Sequence, residues 1–190
     1  MSSGFLKKLG SLFKPAGLKG RPQSPAEQLY YEVLSASRDA RLYADYGVED
    51  SIDGRFDALC LLQSVMMRRL SGQEGAVKEL AQGLFDAMFM DMDLTLREMG
   101  VGDMGVGKRV KLMSEAYMGR LKSYDEAISA SDKDALSQAL RRNLYRGEEA
   151  HPKEAELAVQ IIAMAKRLEN VRDDDFLSAS WDSAILRLDG

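Results

Sequence analysis

The stretch Leu80-Ala-Gln-Gly-Leu84-Phe-Asp-Ala-Met88-Phe-Met-Asp-Met92-Asp-Leu-Thr-Leu96-Arg-Glu-Met99 decides the fold class. Its apolar residues Leu80, Leu84, Met88, Met92 and Leu96 step by four, which sets them on one face of an α-helix. The same stretch spells Asp91-Met92-Asp93-Leu94-Thr95, a D-x-D-x-T string that in phosphatases places a nucleophilic Asp at a strand end. Here the four-residue step runs through the string without a break. It reads as helix interior, with Gly100 as the C-terminal stop.

Two more strings follow it. Gly102-Asp-Met-Gly-Val-Gly107-Lys108 fits the first seven positions of a phosphate-binding P-loop. Arg109, however, stands where a Ser or Thr should hold magnesium, and a helix rather than a strand precedes the string. Gly100, Gly102 and Gly105 spell G-x-G-x-x-G without the βαβ unit that gives that fingerprint meaning. The glycines read instead as a loop from Gly100 to Gly107, supplying positive φ where two helices meet.

On the amino-terminal side, Ser24-Pro25-Ala26-Glu27 carries a cap residue, a first-turn proline and a capping-box glutamate. Leu29, Tyr30, Val33, Leu34, Ser37, Arg41 and Leu42 continue the helical pattern to about Ala44. Phe56, Leu59, Cys60, Leu62, Gln63 and Met66 predict a helix ending near Ser71-Gly72, and the quoted helix starts near Ala76. Beyond the loop, one helix is expected from Lys108 to about Ala130. A second is capped by Asp132 and ended by Gly147, and a third runs from His151-Pro152 to about Val171. Asp173, Asp174 and Asp175 break the last, leaving a short-helical or irregular end. Neither alternating β-branched runs nor hairpin turns occur. The expected class is all-α: a single helical domain of about six helices over residues 24–190, preceded by a tail and linker over residues 1–23.

Composition narrows the function. The 190 residues carry one Cys and one His, which excludes a disulfide framework and a Cys-based zinc site. No metal ligands, catalytic residues or cofactor are assigned. His151 reads as a neighbour of a helix cap, and Cys60, on the apolar face of its helix, as inert core. No apolar run approaches the roughly 20 residues that span a bilayer. The net charge of −4 argues against nucleic acid as a partner. That charge is unevenly spread: residues 1–22 hold Lys7, Lys8, Lys14, Lys19 and Arg21 and no acid, so the remainder carries −9 against a total of −4. In the tail, Phe5, Leu6, Leu9, Leu12 and Phe13 share one helical face with Lys7 and Lys8 beside it. This suits a membrane surface, since nine residues span only about 13 Å and do not cross a bilayer; a frayed terminus and a mitochondrial transit peptide are the alternative readings. Pro15, Gly17, Gly20 and Pro22 then form the linker.

Nine of the 11 Met lie between Met66 and Met118. Met88 and Met92 share the buried stripe, whereas Met66, Met67 and Met90 sit beside residues already on an inner face. Two readings stay open: a core filled with Met, or an exposed Met–Phe patch that takes an apolar helix. Charge is sorted as well. Asp86, Asp91, Asp93, Glu98 and Asp103 precede or enter the glycine segment, and Lys108, Arg109, Lys111, Arg120 and Lys122 follow it. An antiparallel hairpin would let them zip together, or leave them as a polar rim for a partner.

Two long blocks then carry a family resemblance. Tyr43-Ala-Asp45-Tyr46-Gly47-Val48-Glu49-Asp50-Ser-Ile-Asp53-Gly54-Arg55-Phe56-Asp57-Ala-Leu59-Cys60-Leu61 resembles the first signature block of the ubiquinol–cytochrome c chaperone family. Phe85 to Lys111, the segment spanning the quoted helix end and the glycine segment, resembles the second. The resemblance covers Ser24 to Arg146 well and the C-terminal helix loosely. It implies an all-helical, non-enzymatic assembly factor of the cytochrome bc1 complex. Mitochondrial members bind newly made cytochrome b near the ribosome with a small helper protein. The expectation here is a bacterial member, peripheral on the cytoplasmic face of the cell membrane, because the long amino-terminal extension of a mitochondrial precursor is not seen. The residues the resemblance assigns to the partner surface are Tyr46, Asp53, Arg55 and Asp57 from the first block. From the second they are Phe89, Asp91, Met92, Asp93, Arg97, Glu98, Lys108, Arg109 and Lys111. The alternatives are a helical scaffold for another soluble or membrane partner and, on the D-x-D-x-T string alone, a phosphatase.

Overall fold

The computed structural model describes residues 24–147 and 149–188. The tail expectation for Phe5, Leu6, Lys7, Lys8, Leu9, Leu12 and Phe13 lies outside the described residues. All described regular structure is helical. Six helices have 11 residues or more: α1 (Pro25–Ala36), α3 (Ile52–Leu70), α4 (Gly75–Glu98), α5 (Asp103–Ser129), α6 (Lys133–Asn143) and α7 (Glu154–Glu169). Two short helices, α2 (Ala40–Ala44) and α8 (Asp173–Leu177), and a 3-10 turn (Ser183–Leu186) complete the chain order.

The axis of the domain is α3, which packs against α1, α4, α5 and α7. Every residue from Phe56 to Met66 is buried, the pattern of a helix surrounded on all sides. At roughly 1.5–3 kcal/mol for each large apolar side chain removed from water, this run is the main source of cohesion. Its start is tightly specified. The Ser51 hydroxyl accepts from the Gly54 N–H at 3.1 Å. A Cβ on Gly54 would lie 1.9 Å from the Glu49 carbonyl oxygen, so only glycine lets the incoming chain fold back over the first turn.

Boundaries differ from expectation at two places. The first helix is not continuous to Ala44 but stops at Ala36. The Ser37 carbonyl accepts from the Tyr43 hydroxyl at 2.7 Å, and Asp39 caps α2 through the Arg41 N–H at 3.0 Å. Side chains that bond the nearby backbone compete with helix continuation there. The expected loop from Gly100 to Gly107 shrinks to the four residues 99–102, because α5 begins at Asp103 rather than Lys108. Gly100, at φ +80°, closes α4 in a Schellman turn. In it the Val101 N–H donates to the Leu96 carbonyl at 3.1 Å, and the Gly100 N–H to the Arg97 carbonyl at 2.9 Å. Gly102 is extended, and its carbonyl accepts from Gly105 and Val106 N–H, starting α5 at once. The P-loop and dinucleotide strings thus lie on a helix–turn–helix with no strand among the described residues.

Candidate functional site

The first-block residues hold the bundle together. Asp57 is fully buried on α3 and receives two guanidiniums, Arg120 Nη2 of α5 at 2.9 Å and Arg146 Nε at 2.6 Å. Arg146 also reaches the exposed Asp53 at 2.8 Å, and Arg120 lies over the Phe56 ring at 5.7 Å. Burial pushes the Asp57 carboxyl above the usual carboxylate range, while the two guanidiniums pull the other way. Arg55 pairs with Asp50 at 2.7 Å. Tyr46 is buried, and its carbonyl accepts from the Tyr145 hydroxyl at 3.0 Å. Tyr46 and Asp57 therefore line no surface, contrary to their assignment as partner contacts. A tyrosine ring and a carboxylate at these positions are needed inside, one for packing and one to neutralise arginines from two other segments.

The second block divides in the same way. Met92 is 1% exposed and belongs to the core, and Asp91 is buried where the Tyr30 hydroxyl of α1 donates to it at 2.7 Å. Both are corrected from surface to interior. Burial raises the Asp91 carboxyl, and its bond to Tyr30, with the Arg38 charge, opposes that rise. An Asp locked in a helix interior under a tyrosine is not the strand-end nucleophile of the phosphatase string. Phe89 is half-buried, 4.6 Å from Phe85 and 6.1 Å from Tyr117 between ring centroids. Asp93, Arg97, Glu98, Lys108, Arg109 and Lys111 stand at or near the surface, all on α4 and α5 beside the turn.

The zipper expectation fails here. Among the described residues the only ion pair that joins α4 to α5 is Arg97 with Asp103. Arg97 also holds Asp93 at 2.5 Å. Lys111 and Lys122 pair loosely within α5, each at 3.9 Å, and Arg120 turns to α3.

The Met residues divide three ways, with Met67 and Met113 half-buried against the core. Met66, Met88, Met92 and Met164 are core. Met90, Met99, Met104 and Met118 are exposed, as is Leu112. Five of the six large exposed hydrophobics among the described residues thus lie on the α4–α5 hairpin, with Met104 at 95% exposure. Of these five, none was singled out as a site residue from the sequence. Only part of the signal lies in the sequence. The buried positions of α5, Val106, Tyr117, Tyr124 and Ile128, share one face, and Met104, Leu112 and Met118 fall off it.

His151 and Cys60 behave as structural residues. The His151 ring stacks on Tyr145 at 3.8 Å, and its Nδ1 accepts from the Lys153 N–H at 3.2 Å. Cys60 is buried, and burial pushes its thiol far up. No group of three or more His, Cys, Asp or Glu among the described residues could hold a metal ion. No helix among them is long and apolar enough to cross a membrane.

Among the described residues the protein is an all-helical bundle with five of its six large exposed hydrophobics on one hairpin. Residues 44–184 match the ubiquinol-cytochrome C chaperone family, and the chain belongs to it. The match takes in the first block from Ala44 and the whole of the second and, beyond Arg146, extends through α7 to the 3-10 turn. The fold is similar to the crystal structure of the Cbp3 homolog from Brucella abortus, with a TM-score of 0.75 and 28% sequence identity over 98% of each chain. No curated protein sequence matches the chain.

Proposed function

We propose that this protein is a non-enzymatic chaperone that binds newly made cytochrome b and presents it for assembly into the ubiquinol–cytochrome c reductase complex. Membership of the chaperone family supports the process. The observation that supports a place on the molecule is the concentration of exposed Met and Leu on the α4–α5 hairpin. Unbranched, polarizable Met side chains repack around varied apolar partners, which suits a membrane-protein client. The hairpin is long enough for the task, since the 27 residues of α5 extend about 40 Å. Phe89, Asp93, Arg97, Glu98, Lys108, Arg109 and Lys111 lie on the same hairpin as the apolar side chains and are assigned here to the rim of the proposed surface. In this reading residues 1–20 hold the body on the inner face of the cell membrane. Deleting them, or raising salt so that the lysine charges are screened, releases the protein from membranes in a fractionation assay.

Site-specific photocrosslinking tests the client. The crosslinker is placed at Leu112 and Arg109 in cells making the bc1 complex, and adducts are read by mass spectrometry. Cytochrome b as the main adduct supports the reading. Adducts to other proteins only, together with normal bc1 content in a deletion strain, would sink it.

A further inference from the structure

The charges on the hairpin are not equally available, and the imbalance runs against the acidic character of the whole. Asp93 and Asp103 are both held by Arg97. Asp91 is buried under Tyr30. Glu98 follows Asp91 at i+7, on the side of α4 that faces α1, and is exposed. Lys108 and Arg109 are exposed and have no ion pair among the described residues, and Lys111 meets Glu115 only at 3.9 Å. Met104, Lys108 and Leu112 follow at i, i+4 and i+8, so the open cation sits between two exposed apolar side chains on one strip of α5. Apart from Glu98, the acids nearest the turn, Asp91, Asp93 and Asp103, are already committed elsewhere.

We infer that the segment docking on this strip is an apolar helix end that carries carboxylates. This rests on the reading of the hairpin as the client surface and adds the client's chemistry to it. The apolar part of the segment covers Met104 and Leu112, and its carboxylates meet Lys108 and Arg109. Such rim pairs contribute little affinity each and act mainly through selectivity and encounter rate. A partner with lysines at the same places meets like charge and is rejected.

Fluorescence anisotropy with the full chain tests this. The probes are two labelled helical peptides with the same Leu-rich centre, one flanked by Glu and one by Lys. Vesicles of phosphatidylcholine with and without phosphatidylglycerol form a third arm. The Glu-flanked peptide is expected to bind about tenfold more tightly. The double variant Lys108→Glu/Arg109→Glu, at exposed positions that leave the fold intact, should reverse the order. Met104→Ser/Leu112→Ser should weaken both peptides. Equal binding of the two peptides, unmoved by charge reversal, overturns the inference while leaving the docking surface standing. Binding to the anionic vesicles that Lys108→Glu/Arg109→Glu abolishes, without binding of the Glu-flanked peptide, also overturns it, in favour of a lipid surface. Failure of the docking reading itself looks different: neither peptide binds, and Leu112 gives no client adduct in cells.

Discussion

Asp57 shows most clearly how one residue can be conspicuous in sequence and misassigned. It interrupts a run that is otherwise apolar from Phe56 to Leu62, which signals a function at that position. The structure gives that function as the neutralisation of two arginines from distant segments, at 2.9 and 2.6 Å, inside the bundle. The arginines lie 63 and 89 residues further on, so no local pattern could pair them with it. Removing one member of a buried network leaves uncompensated charge. Asp57→Ala should therefore lower stability by about 3–5 kcal/mol in urea unfolding. Asp53→Ala, which removes only the exposed arm of Arg146, should cost less than about 1 kcal/mol. Gly54→Ala should be comparably severe for a different reason. A Cβ 1.9 Å from the Glu49 carbonyl oxygen forces the backbone before α3 to move, with an expected loss of at least about 2 kcal/mol in the same assay.

At the scale of elements, the helices were legible because their apolar steps are long and regular. The starts of α1 at Ser24 and α6 at Asp132 follow from local cap chemistry. The start of α5 was misplaced by five residues because glycines at 105 and 107 resemble a loop. In the structure the glycine-rich segment is tied down by its neighbours: Gly102 accepts two helical N–H groups, and Arg97 reaches across the turn to Asp103. That bridge is exposed, so its contribution to global stability is small. Arg97→Ala should change the unfolding midpoint by less than about 1 kcal/mol equivalent. It should nevertheless speed hydrogen exchange at the start of α5, where Asp103 and Met104 are exposed and Gly105 is only half-buried. A large global loss instead would mean that the bridge holds α4 and α5 together. The exposed hairpin face was the least legible element. Periodicity separates Met104 and Leu112 from the core stripe, but it does not say whether another helix of the same chain covers them.

For the whole molecule, the division between an interior closed by buried ion pairs and a hairpin left open sets how stability responds to pH. The α6–α7 pair is joined by Arg141 and Glu154, whose Nε–Oε2 contact is 3.0 Å, and Glu154 also accepts from the His151 N–H at 3.0 Å. The Arg141 guanidinium, helped by that backbone bond, holds the Glu154 carboxyl below its ordinary range, with burial opposing. A carboxyl depressed in the folded state contributes stability that is complete above its unfolded value, about 4.3, and is lost as pH falls through the lower folded value. Asp57 and Asp91, raised by burial, have the opposite sign and lose stabilising effect as pH rises through their window. Acid unfolding should therefore be governed by groups of the Glu154 kind. Glu154→Gln should be less stable than the parent at pH 7, because Arg141 loses its charged partner. It should also lose less further stability between about pH 4.3 and the acid end. Urea unfolding at stepped pH reads both effects. Parallel curves for variant and parent would show that the Arg141–Glu154 pair carries no linkage and that the acid limit lies in other carboxyls.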